Sequence, residues 1–247
     1  MIFPKFLITV VLCCCFSLDN ASCKPLTDGL TPCKKTDPKL NECLLDILKR
    51  VKPQLFHGVP ELNLPSLDPL YIPKVSIHGT RQDIRMTGEL YNLTAKGSDS
   101  MTVKTLNVDL AENTWDMTVD IPLVMFVTDF NLNITLKALY VPIYGKGRCH
   151  GKISHSVVRF HANTEVKDNK LKLKNIKMNL YFEDVDVHIT NTQNPTIAQT
   201  ASEFFNTNKR LVLDLITPIA EDAATDLLVQ HGNRILSTME ITDLLVD

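Results

Sequence analysis

The feature of this sequence that most constrains its fold is a pair of long runs in which apolar and polar residues alternate. In TWDMTVDIPLVMFV, residues 114–127, the odd positions from 115 onward are apolar, and Asp116, Thr118 and Asp120 lie between them. The run FNLNITLKALYVPI, residues 130–143, begins with the same alternation. A period of two residues is typical of β-strands that have one buried face. These runs therefore predict long, half-buried strands.

The alternation changes phase at three places, which predicts β-bulges. The changes fall after Gly88, between Val103 and Leu106, and between Leu173 and Ile176. A bulge adds one unpaired residue to a strand, and it bends and twists the sheet locally. With roughly seven strands joined by hairpin-like links, the pattern predicts a strongly curved antiparallel sheet. The glycine-rich stretch YGKGRCHG, residues 144–151, is predicted to form one of the hairpin turns.

A long amphipathic helix is predicted near the end of the chain. Asn194 and Pro195 are typical of a helix cap and a first helical residue, and apolar residues recur at helical spacing over residues 197–228. Pro218 is expected to kink this helix. Forty helical residues extend about 60 Å, which is long for a compact domain, so we expect the sheet to wrap around the helix. The predicted fold class is α+β: a long C-terminal α-helix wrapped by a strongly curved antiparallel β-sheet, with a short N-terminal helix.

The short N-terminal helix is predicted from a second capping residue that is followed by proline. Asp37 and Pro38 resemble a cap and a first helical residue, and apolar residues then recur at helical spacing from Leu40. Pro53 and Gly58 are expected to end this helix.

The first residues of the chain predict a secretory signal. Residues 1–17, MIFPKFLITVVLCCCFS, contain one charge, on Lys5, followed by an apolar run of about a dozen residues, too short to span a bilayer. Cleavage is expected after Ser17, or as late as residue 22. Residues 18–247 would then form a single domain, and the protein is predicted to be secreted and extracellular.

Secretion decides how the cysteines are interpreted. Cys33 and Cys43, with nine residues between them, are compatible with a metal clip, a redox pair or a structural disulfide. Because disulfides persist in oxidising compartments and the spacing lacks the short knuckles of zinc sites, we expect a disulfide. The signal removes residues 13–15. Cys23 and Cys149 are left open: they pair, one is free, or Cys23 is cleaved away.

Several functions are disfavoured by composition and motifs. The net charge is −2 with interspersed signs, so no nucleic-acid partner is expected. No second apolar run suits stable membrane insertion, and no catalytic, phosphate-loop or metal-protease motif is present, so no enzyme activity, metal or cofactor is predicted. Asp184, Asp186 and His188 alternate along one predicted strand face. They could attract a cation, but we interpret them as an exposed polar face. Asn92 and Asn133 begin glycosylation sequons.

One longer stretch resembles a known family. CKKTDPKLNECLLDILKRVKPQLFHGVPELNLPSLDPLYIP, starting at Cys33, is similar to the opening of the insect takeout and juvenile-hormone-binding family, and the FFN-x-N motif at residues 204–208 also fits. The resemblance implies a long helix wrapped by a curved sheet, with an apolar tunnel for a lipid-like ligand. Hormone-binding members have a second disulfide from the position of Cys149. Its partner past residue 180 is missing here, which favours the takeout branch.

The predicted ligand-binding residues are apolar, aromatic or flexible side chains, as expected of a pocket for an apolar ligand. The alternative for each of them is ordinary core packing, and residues 57–73 are either a stiff rim or a connector. The predicted lining comprises Val59, Leu64, Leu67, Leu70, Ile84, Met86, Trp115, Met117, Val119, Ile121, Met125, Ile134, Leu136, Tyr140, Phe204, Phe205, Leu211 and Leu215.

The predicted function is that of a secreted carrier of a small hydrophobic ligand, terpenoid or lipid-like, in an internal apolar tunnel. Two other classes remain open. One is an extracellular protein-interaction or lipid-sensing module whose tunnel lipid is structural. The other is an esterase of terpenoid esters, to which no motif points.

Overall fold

The computed structural model describes residues 26, 29–62, 64–81, 84–136, 141–191 and 193–247. The predicted signal, Cys23 and Tyr140 lie outside these residues. The strands are β1 (Cys33–Lys34), β2 (Leu70–Thr80), β3 (Ile84–Lys96), β4 (Thr102–Asp109), β5 (Thr114–Leu136), β6 (Val141–Lys167), β7 (Lys170–Thr190) and β8 (Leu245–Val246). The helices are α1 (Leu40–His57), α2 (Pro195–Thr207), α3 (Lys209–Ser237) and α4 (Ile241–Leu244), with 3-10 turns at Pro60–Leu62 and Ser98–Ser100.

The main sheet is antiparallel and has the order β2-β3-β5-β6-β7. Because β5 is 23 residues long, it has room for two partners along one edge: β4 pairs with its first part and β3 with its second part. A small parallel pair of β1 and β8 joins the two ends of the domain.

The sheet curves so that both of its outer strands meet α3. On the β2 side, Gly79 lies against Ile219, and Arg81 forms an ion pair of 2.6 Å with Asp222. On the β7 side, the backbone N–H of Leu180 donates to Glu221 over 2.8 Å. The predicted fold, a long C-terminal helix wrapped by a strongly curved antiparallel sheet, is confirmed.

The three predicted bulges are present. The register shifts between Tyr91 and Thr94 in the β3–β5 pair, and between Val103 and Thr105 in the β4–β5 pair. In the β6–β7 pair the irregularity falls at Asn175, whose φ of 48° is in the left-handed region. Phase changes in the hydrophobic pattern therefore located the bulges correctly.

The prediction of a hairpin turn at residues 144–151 is wrong, because these residues lie inside β6. Their glycines make room for aromatic rings on the paired strand. A side chain at Gly151 would be 2.7 Å from the ring of Phe126, its direct partner in β5, and a side chain at Gly147 would be 3.4 Å from the ring of Phe130. An aromatic ring that lies over a glycine covers the exposed backbone and stabilises the pair.

The helix boundaries differ from the sequence prediction in three ways. α1 begins at Leu40, where the carboxylate of Asp37 accepts the N–H of Lys39 just before the helix. Pro53 lies inside α1, and Gly58, with a φ of 84°, ends it. The single helix predicted from Pro195 is two helices with a break at Asn208.

The three longest strands reverse their inward faces at one level of the sheet. In β5 the inward side chains are at odd positions as far as Val119 and at even positions from Phe126. Pro122 is opposite His155 in β6, which has a φ of 56°, and His155 is opposite Glu183 in β7. We call this level the crease. Because of it, the apolar face predicted for residues 115–127 divides, and side chains 123, 125 and 127 point outward.

Candidate ligand-binding site

The interior lies between α3 and the middle strands of the sheet. The backbone of α3 approaches the outer strands β2 and β7, whereas β3, β5 and β6 lie farther away. Many apolar side chains that face this interior are only partly buried. They include Leu90, Phe126, Leu132, Ile134, Ile153, Phe182, Phe205, Leu215, Ile216 and Leu227. Ile216 packs on both the β2–β3 group and the β7 group, so it occupies the middle of the interior.

The structure places the predicted lining residues in different environments. Leu70, Ile84, Met86, Ile134 and Leu215 lie in one apolar cluster between β2, β3, β5 and α3. Val59, Leu64 and Trp115 belong to a second cluster around α1, while Trp115 also joins Met117 in a third. Phe205 packs near β7, Val119 is buried, and Leu67 and Ile121 are half-buried. Met125, Phe204 and Leu211 are more than half exposed. The side chain of Leu136, like Tyr140, lies outside the description.

The end of the interior next to α1 is closed. The predicted disulfide between Cys33 and Cys43 is present, and Cys33 is 1% exposed. Four residues of α1, Leu40, Leu44, Ile47 and Val51, are buried in the same apolar cluster as Cys33, and Phe56 of α1 is also buried. A void between Leu55, Leu64 and Ile235 has a volume of only about 10 Å³, which is the space for one water molecule.

The other end has open clefts along the seam between β7 and the C-terminal helices. A cleft of about 810 Å³ lies between the end of β7 and α2, and it is lined by Ile189, Pro195 and Ala198 together with polar residues such as Ser202 and Glu203. A second cleft of about 220 Å³ lies farther along the seam, between residues 180–182 of β7 and residues 210–221 of α3. The larger of these two clefts therefore lies at the α2 end.

Side chains of α2 and α3 satisfy the free backbone edge of β7. The amide of Asn206 accepts from the N–H of Val187 (3.0 Å) and donates to its carbonyl (2.7 Å). Asn233 makes the same pair of bonds with Leu173, at 2.8 and 3.2 Å. A carboxamide has the donor and acceptor of a peptide group, so it replaces the missing neighbouring strand.

Sequence reasoning missed these edge contacts, because the polar side of an amphipathic helix is normally solvated. The available signal was weak. Asn206 and Asn233 lie inside helices although asparagine is a poor helix former.

The charged groups near the seam are paired. The ammonium group of Lys209 lies 2.7 Å from Asp184 and 2.6 Å from Asp186. The hydrogen bond with Lys209 lowers the pKa of Asp184, and the two carboxylates raise the pKa of Lys209. The cation that pairs with Asp184 and Asp186 is therefore the ammonium group of Lys209. Among the described residues, no group of three potential ligands is suited to a metal ion.

Two further side chains have shifted pKa values. Cys149 forms no disulfide with any described residue, and burial raises the pKa of its thiol to about 11. At the crease, the imidazole of His155 lies 2.7 Å from Asp120 and also hydrogen-bonds Glu183. These carboxylates raise the pKa of His155.

A curved antiparallel sheet around a long helix, with an apolar interior, defines the structural class of this chain. The family model described as haemolymph juvenile hormone binding protein (JHBP) matches residues 8–246, and the chain belongs to this family. The resemblance noted from the sequence is thereby confirmed.

The crystal structure of Takeout 1 from Epiphyas postvittana is similar to this fold. Its TM-score is 0.69 at 16% sequence identity, and the match covers 87% of this chain and 99% of that one. A crystal structure of lipopolysaccharide binding protein matches with a TM-score of 0.36 at 9% identity, over 81% of this chain and 41% of that one. Comparison with curated protein sequences gave no significant match. Within the described residues, none of the helices has the length and apolar character needed to cross a membrane.

Proposed function

We propose that this protein is a secreted carrier that binds a small hydrophobic molecule, terpenoid or lipid-like, in the interior between α3 and the sheet. The observation that carries the proposal is the set of apolar side chains that face inward but are only partly buried. Protein interiors are normally packed to the density of organic crystals, so a loosely filled apolar interior favours an apolar guest. Membership of the haemolymph juvenile hormone binding family supports the same function.

Burial of a hydrocarbon ligand is sufficient to hold it there. Ten buried methylene groups contribute about 8 kcal/mol before the entropy of association is subtracted. The polar groups that orient the ligand would come from the cleft beside α2, where Gln199 and Glu203 lie near Ile189 and Ala198. We propose binding without catalysis, because an apolar cavity with a few polar groups at its mouth is suited to holding a ligand.

Three features support secretion. Residues 1–17 have the pattern of a signal peptide, and the Cys33–Cys43 disulfide is typical of an oxidising compartment. Both predicted glycosylation residues, Asn92 and Asn133, are exposed. The secreted protein is expected to lose mass when it is treated with a glycosidase that removes N-linked glycans.

The carrier proposal is tested by binding of an apolar fluorescent probe, N-phenyl-1-naphthylamine, to the secreted protein. Ile216→Trp fills the middle of the interior, so we expect its affinity for the probe to fall roughly fivefold or more. Val229→Trp is the matched control on the same helix, because Val229 is 42% exposed and is not among the predicted lining residues, so it is expected to bind as the wild type does.

Ile216→Ala guards against a folding defect, since it enlarges the interior and is expected to retain probe binding. Equal affinity in all three variants and the wild type would contradict an interior site. Mass spectrometry of an organic extract of the purified protein then identifies the natural ligand.

One observation favours the second candidate, an interaction module whose bound lipid is structural. Leu123, Met125 and Val127 form an exposed apolar row on the outer face of β5. A stoichiometric lipid that never exchanges with added probe would favour this alternative over a carrier.

A further inference from the structure

The helix beside the large cleft is held to the sheet by few apolar contacts. α2 has thirteen residues, and its buried residues are Ala198 and Ser202, both small. Ile197 and Phe204 are 66% and 57% exposed. A helix of this length is marginal by itself in water, so its stability depends on tertiary contacts. α2 therefore has less apolar burial to hold it in place than α1, which buries five large apolar residues.

A break in the helix separates α2 from α3. The backbone N–H of Asn208 donates to the carbonyls of Phe204 and Phe205, which closes the last turn of α2, and α3 starts at the next residue. That residue, Lys209, is fixed between Asp184 and Asp186 of β7. The start of α3 is thus anchored by Lys209, and only one backbone bond, from the N–H of Val212 to the carbonyl of Asn208, ties Asn208 to its first turn. With α3 held by Lys209, Asn208 is the point at which α2 could pivot relative to α3.

Polar contacts with the edge of β7 hold α2 against this strand. Ser202 accepts the N–H of Ile189 over 2.8 Å, and Asn206 forms its two bonds with Val187. Hydrogen bonds of this kind contribute only about 0.5–1.5 kcal/mol each, because the freed groups bond water instead. Separation of α2 from β7 is therefore a low-energy opening of the kind that precedes global unfolding.

Opening at this place would connect the solvent with the apolar interior. The cleft of about 810 Å³ is lined by residues of both α2 and the end of β7, residues 188–191. Phe205 of α2 packs in the same apolar cluster as Val187, Phe126 and Ile216. Movement of α2 away from β7 would uncover this cluster, which is part of the proposed binding interior.

We propose that α2 is a flap, hinged at Asn208 and latched to β7 by Ser202 and Asn206, through which the hydrophobic ligand enters and leaves. The role in ligand exchange rests on the proposed function, whereas the motion does not. The chain supplies its own control: Asn233 makes the same two bonds to the same strand, but near the other end of α3.

The motion is tested without any ligand by hydrogen–deuterium exchange of the wild-type protein. We expect the amides of α2, Val187 and Ile189 to exchange at least about tenfold faster than Leu173 and residues 221–237, since opening at the hinge needs no global unfolding. Equal protection of α2 and residues 221–237 would overturn the flap, whatever the protein binds.

The role in exchange is tested by stopped-flow release of N-phenyl-1-naphthylamine into phosphatidylcholine vesicles. Asn206→Ala is expected to accelerate release roughly fivefold, and Ser202→Ala by a smaller factor, because each removes a latch. Asn233→Ala is expected to leave the release rate within about twofold of wild type although it loses the same two bonds. Equal acceleration by Asn206→Ala and Asn233→Ala would show a general loss of stability and would refute the flap as the portal.

The two proposals fail in distinguishable ways. If the wild-type protein binds no apolar probe, the carrier proposal is contradicted, and α2 cannot be a portal for ligand. Hydrogen–deuterium exchange still decides whether α2 moves. Tight probe binding with a release rate unaffected by Asn206→Ala and Ser202→Ala contradicts only the portal.

Discussion

The two halves of the molecule on either side of the crease are built differently. The closed half comprises α1, β4 and residues 114–121, 156–167 and 170–182 of the long strands. The open half comprises α2 and residues 123–136, 141–154 and 184–190. In the closed half, Trp115 packs on two clusters that include Leu44, Phe160 and Ala162. In the open half, glycines and partly buried rings line the sheet.

This difference shows how one continuous sheet can have a rigid end and an adaptable end. The closed half is stabilised by a covalent link and by large buried side chains, so it can hold its shape without a ligand. The open half has small residues on β6 and a helix attached mainly by polar contacts, so we expect its interior to change volume more readily than that of the closed half. A carrier needs both properties, because its fold must persist while its ligand is exchanged.

The largest effect is expected from removal of the disulfide in the closed half. The double variant Cys33→Ala/Cys43→Ala frees a loop with a sequence separation of 10. The free energy of unfolding is expected to fall by about 3 kcal/mol, because the unfolded chain gains entropy. Urea unfolding of the secreted protein measures this change.

The same double variant also tests the division into halves. We expect faster hydrogen exchange in α1 and β4, with the amides of residues 184–190 unchanged. A uniform increase along the whole chain would mean that the two halves are not separate units. Cys149→Ala is the control, since Cys149 forms no disulfide with a described residue.

A smaller effect is expected from a methyl group added to a glycine of β6 that makes room for a ring of β5 in the open half. In Gly151→Ala the new carbon would lie 2.5 Å from the carbonyl oxygen of Asp186 and 2.7 Å from the ring of Phe126. The free energy of unfolding is expected to fall by about 1–3 kcal/mol, because the strands must separate to accept it.

Gly145→Ala is the matched control for Gly151→Ala. Its new carbon would meet only the edge of the Phe130 ring, at 3.2 Å, and a ring can rotate away. If thermal unfolding shows both variants to be equally stable, the glycines of residues 144–151 are not needed to make room for rings.

The sequence predicted those parts of the fold that depend on local patterns. Bulges change the phase of alternation, so Val103, Tyr91 and Asn175 could be located from the apolar residues alone. Proline at position 195 marked a helix start correctly, because its fixed φ and missing N–H suit the first helical turn. The curvature followed from the mismatch between a long helix and a compact domain.

The parts that could not be predicted depend on partners that are distant in the sequence. Gly151 resembles a turn residue until it is placed opposite Phe126, and only the register of β5 and β6 does that. Asn206 and Asn233 resemble solvated helix residues until the edge of β7 is placed beside them. For the candidate site, the predicted lining residues stay predictions, since their apolar character serves a core and a ligand pocket equally well.

The smallest effect is expected at the boundary between the halves, where His155 joins three strands. Its ring hydrogen-bonds Asp120 of β5 and Glu183 of β7, and Lys104 of β4 lies 3.7 Å from Asp120. Both carboxylates favour the protonated ring and raise its pKa. A raised pKa in the folded state means that the stabilisation is complete below the unfolded value of about 6.5. It is lost as the pH rises through the higher folded pKa.

We therefore expect the wild type to lose a small part of its stability as the pH rises above about 6.5, with His155→Gln lacking this loss. The measurement is the urea midpoint of both proteins from below pH 6.5 to pH 9. Glu183→Gln removes one carboxylate and is expected to reduce the pH dependence without abolishing it, because Asp120 remains. If His155→Gln and the wild type have parallel pH profiles, His155 does not link the halves through its charge. The crease is then maintained by Pro122 and the left-handed backbone at residue 155 alone.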